Sequence, residues 1–280
     1  MNGLLSGALY ALIGMGLALI FGVMRIVNFA HGAFLMIGMY ATWILFDKLK
    51  INPYVGFLPA AIFLFVFGYL VYRALIHPVR NQSHFMHILM TTGISLILVD
   101  TVQLSFGADY HQTNIALVNQ TFRFGPFTAN AASVLSFAIA AVFAVGLTLF
   151  VNKSRTGQAL RAIAQNPGVA PLMGINVSRI QAFSFALGIS LAGVAGGLLL
   201  PQLYLFPSVG EEFTTKAFVM VVLGGMGSIE GAALGGLLLG VAESLTSYYQ
   251  GQQWALPVDF VIFLLVLSLK PGGIFGRQRA

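Results

Sequence analysis

The chain has no cysteine and very little charge: only 8% of its 280 residues are Asp, Glu, Lys or Arg. Without thiols there can be no disulfide, no thiolate nucleophile and no Cys-ligated metal, and the redox compartment stays open. The shortage of charge, with 58% hydrophobic residues and a mean hydropathy of +0.88, excludes a soluble globule. A core of this size cannot bury so much apolar surface. Acidic residues are the scarcer sign, 8 Asp+Glu against 14 Lys+Arg, for a net charge of +6. In a soluble chain that excess would point to nucleic acid. Here the basic residues lie between apolar runs, where they act as topology signals and contacts for anionic membrane lipids, and no nucleic acid is expected.

What is present is a series of apolar runs, most of them of membrane-spanning length: 4–24, 29–46, 55–75, 85–106, 131–151, 180–200, 213–226, 232–249 and 256–269. They define an all-α polytopic helical membrane protein with about 8–9 transmembrane segments, some broken or half-length, in a single domain over residues 1–280. No Lys or Arg precedes the first run and no small-residue cleavage site follows it, so it reads as an uncleaved span. Basic loops stay cytoplasmic. That places Arg73, Arg80, a central basic segment and the tail with Lys270, Arg277 and Arg279 inside, with the N-terminus outside and the C-terminus cytoplasmic. The parity requires the short, glycine-rich run 213–226 to cross or nearly cross. Lys48 and Lys50 then fall outside beside Asp47, a minor departure from the rule. The longest outer segment, 107–130, carries Asp109, His111, Asn114, Asn119 and Arg123, and fits an external lid, a docking surface or a loose connector.

The central segment, 152–179, reads NKSRTGQALRAIAQNPGVAPLMGINVSR. It holds Lys153, Arg155, Arg161 and Arg179 and no acid. Residues 157–165 form a short helix with Ala159, Leu160, Ile163 and Ala164 apolar and Gln158, Arg161 and Gln165 polar. Asn166-Pro167-Gly168 breaks it, and 169–173 makes a second short turn before Gly174. The charges fit either a solvated loop that fixes orientation or a docking surface for a cytoplasmic partner.

Two stretches interrupt the helical pattern at membrane depth: 25–32 (RIVNFAHG) and 223–236 (LGGMGSIEGAALGG). Irregular backbone there is tolerated only where protein or a water-filled cavity satisfies it, and broken helices commonly build substrate sites from exposed N–H and carbonyl ends. Asn28, His31 and Gly32 at the first break, with Gly224, Gly225, Gly227 and Ser228 at the second, are the candidate pathway residues. The competing reading is close helix packing through small residues. A constant offset relates Gly22, Met24, Ala30, Leu35 and Gly38 to Gly224, Met226, Ala232, Leu237 and Gly240, a weak internal repeat. The glycine cluster lacks the lysine and the strand of a nucleotide loop. His31 has no further metal ligands at suitable spacing and reads as a hydrogen-bonding residue at the break. His77, His84 and His87 cluster at a helix end and read as interfacial. Asp100, Glu243 and Asp259 lie near the outer ends of their runs, where ion coupling and snorkelling are both open. Nothing resembles a catalytic dyad or triad, so no enzymatic role is assigned.

Three stretches together, FGVMRIVNFAHGAFLMIGMY, GQALRAIAQNPGVAPLMGINVSRIQAFSFALG and KAFVMVVLGGMGSIEGAALGGLLLGVAES, resemble the branched-chain amino-acid (Liv-type) ABC transporter permeases over nearly the whole chain. The resemblance implies a bacterial inner-membrane importer subunit. Its partners would be a second, paralogous permease, two cytoplasmic ATPase subunits that bind ATP and Mg, and an external binding protein. The central segment then resembles the coupling loop, with Arg161, Gln165, Ala170 and Gly174 as ATPase-coupling positions. Gly168-Val169-Ala170, three residues, then Gly174 stands where such permeases carry Glu-Ala-Ala-xxx-Gly. Gly168 replaces the acid and Pro171 falls inside the motif. Two alternatives remain beside an amino-acid importer: a urea or short-amide importer, and a proton-coupled secondary transporter working through Asp100, Glu243 and Asp259. A purely structural subunit is disfavoured by the two breaks.

Overall fold

The structure, a computed structural model, describes residues 2–124, 127–270 and 272–274. Arg277 and Arg279, expected in the cytoplasmic tail, lie outside the described residues. The helices are α1 (Asn2–Met24), α2 (His31–Leu49), α3 (Pro53–Val71), α4 (His77–Val79), α5 (His84–Phe106), α6 (Ala131–Lys153), α7 (Arg155–Gln165), α8 (Val177–Leu199), α9 (Val209–Gly224), α10 (Ile229–Tyr249) and α11 (Ala255–Leu269). A π turn, Tyr72–Ile76, joins α3 to α4. It lies just before Pro78, whose missing N–H removes a ladder bond. Side-chain caps set several starts: Asn52, Ser83, Asn130, Ser154, Asn176 and Ser228 each accept a backbone N–H of the first turn.

Eight helical stretches are long and apolar enough to cross a membrane. α1 and α8 form the interior, and glycines let their neighbours approach backbone to backbone. A Cβ on Gly16 would meet the Gly188 carbonyl, and one on Gly3 the Gly240 carbonyl. These contacts fix direction. Gly3 meets Gly240 while Gly22 meets Gly227, so α10 is antiparallel to α1. Gly16 meets Gly188 while Ser184 Oγ donates to Leu19 O, so α8 is antiparallel to α1 as well. α8 and α10 therefore run the same way, and α9 must carry the chain back between them. With 16 residues it is about 24 Å long, less than the ~30 Å hydrocarbon core. It returns the chain along the bundle, as the parity requires, over less than a full span. α1 packs on α10 and α2 on α9, the crosswise pairing that the internal repeat implies.

The C-terminal end of α11 closes on the far end of α9, where Ile274 N donates to Leu223 O at 2.8 Å. Leu269 consequently lies at the opposite end of the bundle from Asn2. Large apolar side chains on α3, α5, α6 and α11, among them Ile62, Ile97, Val142 and Leu264, are exposed and make an outer apolar belt.

Residues 107–124 and 127–130 are held in place. His111 and Leu205 exchange two backbone hydrogen bonds at 2.8 and 2.9 Å, the His111 ring stacks on Trp43 at 4.2 Å, and Thr113 Oγ1 donates to Leu200 O. A small antiparallel hairpin, β1 (Thr121–Phe124) with β2 (Phe127–Asn130), follows. Residues 111–113 are thus tied to α2 and to the α8–α9 connection, so the loose-connector reading fails.

Candidate functional site

The first break starts where α1 ends at Arg25, which has φ of 54°. The chain doubles back along α1, and α2 begins beside the middle of that helix: His31 Nε2 donates to Ile13 O at 3.1 Å. Side chains satisfy the unwound backbone. Asn28 Oδ1 accepts from Ala30 N at 3.1 Å, Thr91 of α5 contacts both Phe29 N and Val27 O, and Thr214 of α9 accepts from Gly32 N at 3.0 Å. Gly32 must be glycine, since a Cβ there would run into Gly210 O and Thr214 Oγ1. Asn28 and His31 are fully buried, and Asn28 Nδ2 and His31 Nδ1 have no hydrogen-bond partner among the described residues. His31 is therefore the hydrogen-bonding residue of the break, as its surroundings in the sequence suggest.

The second break is a tight turn. Ser228 N donates to Gly225 O at 2.9 Å, Ser228 Oγ caps α10 through Gly231 N, and Gly225 and Gly227 both have positive φ. A Cβ on Gly224 would meet the Gly231 backbone, one on Gly225's neighbour Gly273 meets Gly225 itself, and one on Gly227 meets Gly22. The glycines thus serve backbone packing. His31 beside Ile13 and Gly227 beside Gly22 are nine residues apart on α1, about 14 Å along the helix. The second break thus lies against α1 one turn before the first break begins, and His31 and Gly32 at the far end of the first break lie farther along α1. The N–H of Gly32 at the start of α2 is taken by Thr214.

What lies next to the first break is an ionic cluster in which sequence reasoning named the acids Glu243 and Asp259 and missed the cation, Lys216. Lys216 of α9, two residues from Thr214, is buried. Its Nζ is 2.7 Å from Glu243 Oε1 on α10 and 2.7 Å from Glu212 Oε1 one turn earlier. It also donates to Tyr10 Oη on α1 at 3.2 Å and lies 4.9 Å from that ring's centroid. Tyr10 Oη in turn donates to Glu243 Oε2 at 2.7 Å. Asp259 of α11, 1% exposed, faces Glu243, and no donor among the described residues reaches either of its oxygens. One cation thus ties α1, α9 and α10 together, since a buried charge is tolerable only when paired and hydrogen-bonded. Glu243 and Asp259 are interior, which corrects the snorkelling alternative, whereas Asp100 is exposed on α5 and takes no part. The signal was available: Lys216 is the single cation in the run 213–226, with an acid four residues before it.

At the other end of the bundle α7 spans Arg155–Gln165, capped by Ser154, and a 3₁₀ turn covers Ala170–Met173, both near the expected bounds. Of the four coupling positions only Gln165 and Gly174 are open. Arg161 is half-buried and bonds the Asn152 carbonyl and side chain at 3.1 and 2.9 Å, which ties α7 to the end of α6. Ala170 is buried, so its smallness serves this chain's own packing. Gly174 has φ of 75° and open space around its Cα; its requirement is the left-handed backbone. The loop instead presents Leu172, 83% exposed, and Met173, 77% exposed, side by side.

A family model described as "Branched-chain amino acid transport system / permease component" matches residues 1–267. The Pseudomonas aeruginosa high-affinity branched-chain amino acid transport system permease protein BraD is 37% identical, over 99% of this chain and 94% of its own length. The Escherichia coli protein of the same description, LivH, is 34% identical over the same shares. A Methanocaldococcus jannaschii relative named "Probable branched-chain amino acid transport permease protein LivM" is 25% identical over 88% of this chain and 77% of its own. No solved structure matches the chain.

Proposed function

The chain belongs to the branched-chain amino acid transport permease family, and from that premise we propose that it is a permease subunit of an ATP-driven importer of branched-chain amino acids. The observation that carries the reading is the 37% identity over 99% of the chain to a permease of that description. The likeness to LivM as well as to LivH favours a paralogous second permease as partner. Two ATPase subunits that bind ATP and Mg dock on the basic loop, and an external binding protein delivers the substrate at the opposite end, where His111 and Thr113 are tied to the α8–α9 connection. This orientation puts Asn2 outside and Lys270 in the cytoplasm of a bacterial inner membrane.

The passage runs along the junction of α1, α2 and α9. A zwitterion entering it brings two charges that need compensation. Lys216 is placed to take the carboxylate in exchange for Glu243, and the released Glu243 with Asp259 takes the ammonium. Asn28 Nδ2 and His31 Nδ1, unpartnered among the described residues, supply hydrogen bonds at the break. Leaving such groups unpaired costs about 1–3 kcal/mol each, a cost that a passing substrate relieves.

The test is a substrate panel with the complete complex. ATP-driven uptake of labelled leucine should be competed by isoleucine and valine and not by urea or acetamide. Competition by urea with none by valine would replace this reading with the short-amide one.

A further inference from the structure

We propose that the groove between α6 and α8 is a binding site for one anionic phospholipid, its acyl chain in the groove and its phosphate on Lys153 and Arg179. α6 touches α8 at one end through Ser136 Oγ and Leu198 O, 3.1 Å apart, and at the other through the Phe150 and Phe183 rings, 6.0 Å between centroids. Between these contacts the helices part and leave a groove of about 380 Å³, lined by side chains of α6 from Val142 to Phe150 and of α8 from Phe183 to Leu191, the lining ones all apolar or glycine. Gly146 lies midway, and a Cβ added there meets nothing within 4 Å. This glycine does not serve packing inside the chain; it leaves the groove open.

The charges at the mouth choose the occupant. Lys153 follows Phe150 by three residues and Arg179 precedes Phe183 by four, so both continue the groove-lining stripes of their helices past the aromatic pair. Both are exposed, and neither side chain has an acidic partner among the described residues. The nearby carboxylate, Glu230, is engaged by Asn152, the residue beside Lys153 that points to a different side of α6. Residues 142–150 cover about 12 Å along the helix, within the ~15 Å depth of one leaflet's hydrocarbon. An apolar slot of leaflet depth under two cations without acidic partners among the described residues matches a phospholipid with a negative headgroup.

The full-length chain, purified in mild detergent and stripped of lipid, is titrated with phosphatidylglycerol and with phosphatidylcholine of the same acyl chains and read by native mass spectrometry. The expected result is one tightly held phosphatidylglycerol, preferred over phosphatidylcholine. Lys153→Gln with Arg179→Gln should weaken phosphatidylglycerol about 30-fold, the effect of two basic residues near an anionic surface, and leave phosphatidylcholine unchanged. Gly146→Phe should weaken both lipids by filling the slot, while elution volume and helical content stay normal. Equal binding of the two lipids, or unchanged binding in both variants, would overturn the proposal. A Gly146→Cys chain, the only thiol present, gives the remaining arm. Efficient cross-linking to a second copy or to the partner permease in native membranes would assign the groove to a helix interface and overturn the lipid site.

Discussion

At the residue scale the fold depends on Lys216 more than on any other charge. Removing it leaves Glu243 buried without its cation and beside Asp259, and breaking a buried pair from one side costs about 3–5 kcal/mol. Lys216→Met should therefore lower the thermal midpoint of the purified chain sharply. Adding Glu243→Gln should recover part of the loss, because the amide carries no charge and can donate to the unpartnered Asp259. The ordering of the two midpoints by thermal unfolding in detergent is the check. A double variant less stable than Lys216→Met alone would mean that the pairing described above does not hold the helices. Glu212 contributes little on this view, since its side chain is 50% exposed and exposed ion pairs are weak. The residue scale is also where the sequence is least legible. Long-range partners such as Tyr10 and Glu243, 233 positions apart, leave no local pattern, and a lone lysine in an apolar run reads as noise until its acid is found.

At the element scale the loop between α6 and α8 separates into a part that holds itself and a part that faces outward. Its helix and turn were readable from apolar spacing, from Asn166-Pro167-Gly168 and from Gly174. Which small residue is buried was not, because Ala170 joins the core only when its turn closes back on α7. Arg161, an expected docking charge, is also a tether to Asn152. The outward part is Leu172 and Met173, an exposed apolar pair of the kind that marks a docking surface. Leu172→Glu with Met173→Glu should leave the thermal midpoint of the chain within a degree or two, yet abolish co-purification of the ATPase subunits or cut ATP-driven uptake at least tenfold. Wild-type uptake in that variant would remove the pair from the coupling surface. The second break teaches a related lesson: glycines of Gly224-Gly225-Met226-Gly227 read equally as a lining and as a packed turn, and only backbone proximity to Gly231, Gly273 and Gly22 decides for packing.

At the scale of the whole molecule, hydropathy and charge placement carried most of the architecture. The long runs became spans because lipid forces helices to satisfy their own backbone, and the short run 213–226 became α9, whose direction follows from the parallel course of α8 and α10. Hydropathy could not show that the first break folds back to the middle of α1, since that depends on the side chains of Thr91 and Thr214 meeting the unwound backbone.

We propose that ATP hydrolysis on partner subunits drives transport through this chain. The direct measurement is leucine uptake into proteoliposomes that hold the chain, its second permease and the two ATPase subunits, with the external binding protein in the bath and a proton gradient set independently. Uptake should require ATP on the ATPase side, should continue when a protonophore collapses the gradient, and should be absent from liposomes holding this chain alone. Uptake by the chain alone that rises and falls with the proton gradient would contradict the account.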